Sequence, residues 1–257
     1  MRIIWSRLAA PAGVMCVLAA LSVPAAAVNL ISNGGFEADA AVIQSPDPVT
    51  GWVASEVGIL GGVVINSGAV SPVSGTSTPG PNSGHHYALL DLAAPSHMAL
   101  SQSFAVGAQA LTSATLSYSW FAGYSGDPAV GGDRVSLDST SNDDVLTLRV
   151  DILKSGAAAF STDAADLIFT TTWTAPLDQL PSAWTVFSTA LPADALVAGQ
   201  TYALRYAAAS NRGPLIGGID DVSLNVTAIP EPKTWALLLA GLGIVAGVAR
   251  HRPSDRR

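Results

Sequence analysis

The chain has 257 residues, with 12 Lys and Arg against 19 Asp and Glu and a formal charge of −7. A cation-poor surface cannot replace the counterions of a phosphate backbone, so nucleic acid is excluded as a partner. A single cysteine excludes a disulfide framework and a thiolate metal site.

Residues 1–27 read as a processing segment. Arg2 and Arg7 precede an apolar stretch from Leu8 to Val23, and Pro24-Ala25-Ala26-Ala27 supplies the small residues of a cleavage site. This is the pattern of a secretory signal peptide, so signal peptidase is an expected partner and the cut is placed after Ala27. Cys16 lies inside the segment and follows Met15, where a lipoprotein site needs a small residue, so no lipid anchor is expected.

Residues 28–229 form the body, long enough for one domain with its own core. Its five cations, Arg134, Arg149, Lys154, Arg205 and Arg212, stand against 17 acids and leave a net charge of −12. No stretch sustains a 3.6-residue apolar period. Alternation at period two recurs instead, which predicts many short strands between turns.

The first predicted strand runs over 29–36, with a turn at Asn33-Gly34-Gly35. Trp52 sits in a second at 50–53, and a third, over 57–65, is broken by Gly58, Gly61 and Gly62. Residues 67–84 are rich in Pro, Gly, Ser and Thr and read as a loop. Strands follow at 86–92, 98–106 and 111–124. In the last of these Leu116, Tyr118 and Trp120 share one face, with Thr115, Ser117 and Ser119 on the other. Residues 125–144 form an Asp-rich, Gly-rich loop. Further strands are predicted at 145–153, 167–173, 184–189, 201–208 and 216–226. In 145–153 Thr147, Arg149 and Asp151 alternate with Leu148, Val150 and Ile152. Many strands and almost no helix define an all-β sandwich or barrel.

Two stretches narrow the fold. Asn29-Leu-Ile-Ser-Asn-Gly-Gly-Phe-Glu37 with Gly51-Trp52 resembles the opening of carbohydrate-binding-module-like jelly rolls. Gly218-Ile-Asp-Asp-Val-Ser-Leu224 resembles the closing strand of the same galactose-binding-like families. The resemblance implies a jelly-roll β-sandwich whose first and last strands are neighbours, which brings Glu37 close to Asp220 and Asp221. Three carboxylates with nearby backbone carbonyls suit the oxygen-rich shell of calcium, and the related modules often hold a structural calcium there. Glu37, Asp220 and Asp221 are therefore the expected metal ligands, tying the two ends of the domain together.

Other candidates divide by chemistry. The Asp-rich loop carries Asp127, Asp133, Asp138, Asp143 and Asp144, but their spacing does not match a helix-loop-helix calcium site, so a solvated loop is the reading. His85 and His86 are adjacent, so in a strand they face opposite ways and cannot share an ion. Exposed aromatics stack against sugar rings. Tyr124, at the edge of the Asp-rich loop, and Trp173, before Thr174-Ala175-Pro176, are the expected exposed ligand-binding pair. No nucleophile elbow, metalloprotease helix or phosphate loop occurs, so catalysis is not expected.

The end of the chain is the most specific segment. Residues 234–249 are uncharged, and Arg250, Arg252, Arg256 and Arg257 follow. As a helix the uncharged run rises roughly 24 Å, short of the roughly 30 Å hydrocarbon core, so it spans only with its flanking residues reaching out; Trp235 suits one interface and the arginines the cytoplasmic side. The order Pro230-Glu231-Pro232, apolar helix with Trp, then Arg-rich end resembles the PEP-CTERM sorting signal of Gram-negative bacteria. That resemblance implies transient anchoring in the inner membrane, recognition by an exosortase and removal of the tail. The chain is therefore expected to work at the cell surface or in the extracellular matrix, with an extracellular polysaccharide as ligand. The competing expectation is a structural matrix component with no small ligand.

Overall fold

A computed structural model describes residues 26–39, 43–44, 49–58, 61–92, 95–124, 137, 146–174, 181–192, 194–211, 214–229 and 240–245. Among the described residues twelve strands form two antiparallel sheets, each built where the period-two pattern turns one row of side chains inward. They are β1 (Ala27–Asn29), β2 (Ile43–Gln44), β3 (Val53–Gly58), β4 (Gly62–Asn66), β5 (Tyr87–Leu92), β6 (Ser96–Ala105), β7 (Leu111–Tyr124), β8 (Leu146–Lys154), β9 (Leu167–Thr174), β10 (Thr185–Ala190), β11 (Thr201–Ser210) and β12 (Leu215–Ala228). The larger sheet has the order β10-β7-β12-β5-β4-β2, with β1 also on β12, and the smaller has the order β3-β6-β11-β8-β9. This is a jelly-roll β-sandwich.

The expected boundaries from β5 onward agree with these strands to within two residues. The opening differs. Only Ala27–Asn29 pairs, with Thr227 to Asn225 of β12, and residues 30–38 are turns. Asn33 and Phe36 take left-handed backbone there (φ 47° and 59°), which a strand cannot accommodate. The first and last strands are neighbours, as the resemblance implied. The signal segment up to residue 25, the Asp-rich loop apart from Leu137, and the Pro230-Glu231-Pro232 motif lie outside the described residues.

The core lies between the sheets and holds Leu90, Leu100, Leu116, Ile152, Leu204, Ile219 and Leu224, each almost fully buried. Both outer faces are covered as well. Val64, Tyr87, Leu89, Phe121 and Ile216 form a cluster on the outside of the larger sheet, joined by Val73 and Trp184. Ala99, Ala207 and Ala209 lie under Leu137 and Phe160 on the outside of the smaller one. Central strands therefore read as continuous apolar runs, and β5 is buried at all six positions.

That covering also encloses the polar row of β8. Arg149 and Asp151 sit on the polar side of β8, yet they are 7% and 0% exposed. Arg205 of β11 is also fully buried. Its Nε and Nη2 donate to Asp151 Oδ2 at 2.9 and 2.6 Å, and Arg149 donates to both Asp151 oxygens at 2.7–3.0 Å. Arg205 Nη1 donates to the carbonyls of Ala159 and Ser161 at 2.8 and 2.9 Å. The cluster thereby fastens the β8–β9 connection over the sheet.

Packing against the glycine pair of β12 is close. A Cβ on Gly218 would lie 2.1 Å from the Phe121 ring, so Gly218→Val forces that ring out of its cluster with Tyr87 and Trp184. We predict a loss of about 1–3 kcal/mol from overpacking, measured by urea unfolding. An unchanged midpoint would contradict the packing described.

Candidate binding sites

Two places gather the residues singled out from the sequence. The first lies where β12 changes partner. Its first half pairs with β5 and its second half with β1, and the register against β7 shifts between Asp220 and Ser223. Asp221 there takes a left-handed conformation, φ 53°. The opening turn docks on this irregularity: Val222 N donates to Gly34 O at 2.9 Å. A Cβ on residue 34 would lie 1.9 Å from the Val222 carbonyl oxygen, so only glycine fits.

Glu37, Asp220 and Asp221 all converge here on the turn over 82–86. Glu37 Oε1 accepts from the backbone N–H of His85 and His86 at 2.7 and 2.9 Å. Asp220 Oδ2 accepts from the N–H of Asn82 and Ser83 at 3.0 and 3.1 Å, and Oδ1 from that of Asp221 at 2.7 Å. Asp221 accepts from Asn82 Nδ2 and Ser83 Oγ at 2.6 and 2.5 Å. Among the described residues, no three His, Cys, Asp or Glu side chains gather at metal-holding spacing. The electrostatics divide the trio. Partial burial works to raise Glu37, but the His85 and His86 N–H groups outweigh it and hold its carboxyl below the ordinary value. Asp220 is fully buried. Burial pushes its carboxyl from an ordinary 3.8 up to about 7, against the three N–H donors and with the Asp221 charge adding to the rise.

The second place is a cleft between the sheets, where strands β9 and β10 border the sandwich. It is lined by Tyr118 and Trp120 of β7, Leu148 and Val150 of β8, Trp173 of β9, Phe187 of β10 and Tyr206 of β11, and its volume is about 110 Å³. The walls are aromatic and bridge the two sheets. Trp120 meets Trp173 edge-on at 5.4 Å, Phe187 stacks on Tyr118 at 4.9 Å and approaches Phe169 at 6.5 Å. Trp120, Trp173 and Phe187 are half-buried, while Tyr118 and Tyr206 close the back of the cleft. Burial raises the pKa of both tyrosines, and the Tyr118 hydroxyl meets the Thr171 side chain. Arg149 also borders the cleft, but its guanidinium is committed to Asp151 and to Thr170 Oγ1.

The structure separates the expected ligand-binding pair. Trp173 stands at the cleft. Tyr124 is 1% exposed and packs in the core, because β7 continues its inward alternation to its last residue; the expectation that it is exposed is corrected. Sequence reading did not single out Trp120 and Phe187 as partners of Trp173. Their period-two positions mark them as inward, but nothing local shows that the sheets part at that border.

Comparison with known proteins places two features. Residues 228–252 match the PEP-CTERM protein-sorting motif. No curated protein matches the chain. Among solved structures, the chain is similar to TmCBM61 in complex with beta-1,4-galactotriose (16% identity, 77% of this chain and 97% of that one, TM-score 0.41). It is also similar to a Stig cyclase from Fischerella sp. TAU (16%, 80% and 100%, TM-score 0.46) and to the arabinose-bound MgGH51 α-L-arabinofuranosidase (10%, 77% and 26%, TM-score 0.44). By its fold the protein is a jelly-roll β-sandwich protein with an aromatic cleft. By its C-terminal motif it is an exosortase-dependent exported protein of Gram-negative bacteria. Within the motif the described residues include a helical stretch at 240–245, and among the described residues no helix is long and apolar enough to cross a membrane.

Proposed function

We propose that this exported protein binds glycans through the cleft between β9 and β10, acting at the cell surface or in the extracellular matrix once the sorting helix has been removed. The observation that carries the reading is the set of aromatic side chains from both sheets, Trp120, Trp173 and Phe187, half-exposed around one opening. Aromatic faces bind the apolar faces of sugar rings while the ring hydroxyls keep their water. The role proposed is one of binding, carried by these aromatic faces. Trp173→Ala and Trp120→Ala are each expected to weaken polysaccharide binding by at least about tenfold, roughly 1.4 kcal/mol, in affinity electrophoresis of the whole chain, with an unchanged circular dichroism spectrum. Binding at wild-type strength in both variants would sink the proposal.

A second reading, a structural matrix component, rests on a different feature. Strands β9 and β10 each have one neighbour among the described residues and contain no charged residue, whereas sheet edges are usually guarded by charge or proline. Such edges favour pairing between copies. Sedimentation of the whole chain in detergent separates the readings: a concentration-dependent assembly abolished by Thr172→Lys, with no retained polysaccharide, favours the structural role.

A structural calcium completes the proposal. Glu37, Asp220 and Asp221 would hold it by turning their oxygens from the 82–86 turn, and an all-oxygen donor set suits that ion. The support is that three acids from the two ends of the domain bond to one turn, one of them fully buried and, among the described residues, with no cation paired to it.

A further inference from the structure

The cleft also limits what kind of glycan it takes. Resting on the binding role proposed above, we infer that it accepts a single uncharged sugar unit at the end of a glycan chain, not a run of units and not an acidic sugar. Size is the first argument. Pockets for drug-sized ligands run to about 300–1,000 Å³, and an apolar cavity of about 150 Å³ holds one benzene ring. At about 110 Å³, this cleft has room for no more than one ring.

Shape is the second argument. Tyr118, Leu148 and Tyr206, at 2–3% exposure, close the cleft behind, and Tyr206 Oη reaches the Gly218 carbonyl at 3.5 Å. A glycan therefore enters by an end and does not thread through. The side walls, Trp120 with Trp173 and Phe187 with Tyr118, leave aromatic surface on both sides of the guest ring.

Charge is the third. Arg149 is the one charged side chain among the described lining residues, and its Nε and Nη2 are already bonded to Asp151 and to Thr170 Oγ1. Among the described residues no other cation lines the cleft to meet a carboxylate or sulfate, and the body's net charge of −12 repels anionic polymers.

The test uses the whole chain in a detergent without a sugar headgroup. It measures displacement of bound neutral polysaccharide by neutral monosaccharides, by their two-, three- and four-unit oligomers and by the matching uronic acids. A free monosaccharide is expected to displace the polymer. Per chain end, affinity should change by less than about threefold from one unit to four, and the uronic acid should bind at least about tenfold more weakly. An affinity that climbs about tenfold or more towards four units, or equal binding of the uronic acid, overturns the inference. So does polymer binding that no monosaccharide displaces, while the glycan-binding role itself stands. If neither polymer nor monosaccharide binds, that role falls and the inference with it. Trp173→Ala should abolish monosaccharide displacement; retention would move the site elsewhere.

Discussion

Replacing Asp151 by Asn is expected to lower stability by about 3–5 kcal/mol, because it leaves buried arginines facing no countercharge. For a domain of this size that corresponds to a fall in Tm of roughly 10 °C. The reasoning rests on burial. Asp151 is fully enclosed and accepts from Arg149 and Arg205, which are themselves 7% and 0% exposed. Burial already lowers the Arg205 pKa despite the Asp151 carboxylate beside it, so removing that carboxylate strands the guanidinium. Arg205→Met tests the same cluster from the other side. It also removes the bonds to Ala159 and Ser161, so the β8–β9 connection should become protease-sensitive before the domain unfolds. Guanidinium-chloride unfolding of Asp151→Asn with a midpoint equal to wild type would refute the account of the cluster as a tie between β8, β11 and that connection.

Without calcium, stability is expected to fall as pH rises from about 4 to about 7, and added calcium should restore it at neutral pH. The sign follows from Asp220. Its folded pKa stands at about 7 against an ordinary 3.8, so the folded protein holds a proton that the unfolded chain has released. The stability this contributes is complete below the ordinary value and is lost as pH rises through the folded one. A shift of this size is worth on the order of 4 kcal/mol. A cation among Glu37, Asp220 and Asp221 removes the cause, since it favours the ionised carboxylate, and at a hundred times its dissociation constant it returns about 2.7 kcal/mol. Asp220→Asn isolates the effect by flattening this part of the pH profile. A calcium-free profile identical in wild type and Asp220→Asn would rule out the buried titration. A melting point at pH 7 indifferent to calcium would rule out the metal site.

Much of the architecture was legible along the chain. Leu111–Tyr124 alternates so regularly that its span is read without error, and the strands at 145–153, 167–173 and 201–208 shift by at most two residues. A period of two is a local property, carried by side chains that need only know which face is inward. The strand expected at 29–36 was misread because Asn33 and Phe36 adopt left-handed backbone, where Gly34 closes on Val222, far away in sequence.

The candidate sites show the same division. The sequence by itself determined the C-terminal sorting motif, the all-β class and the acidic body, since each follows from composition, periodicity or a contiguous motif, and the resemblance of its two ends to jelly rolls implied their pairing. Only the tertiary structure decided that Tyr124 is core while Trp120, Trp173 and Phe187 share an opening, and that Asp151 meets Arg205 under a covering loop. Those outcomes depend on where two sheets part and on which outer faces the loops cover. Both are set by contacts between strands remote in sequence, and no local pattern of residues records them.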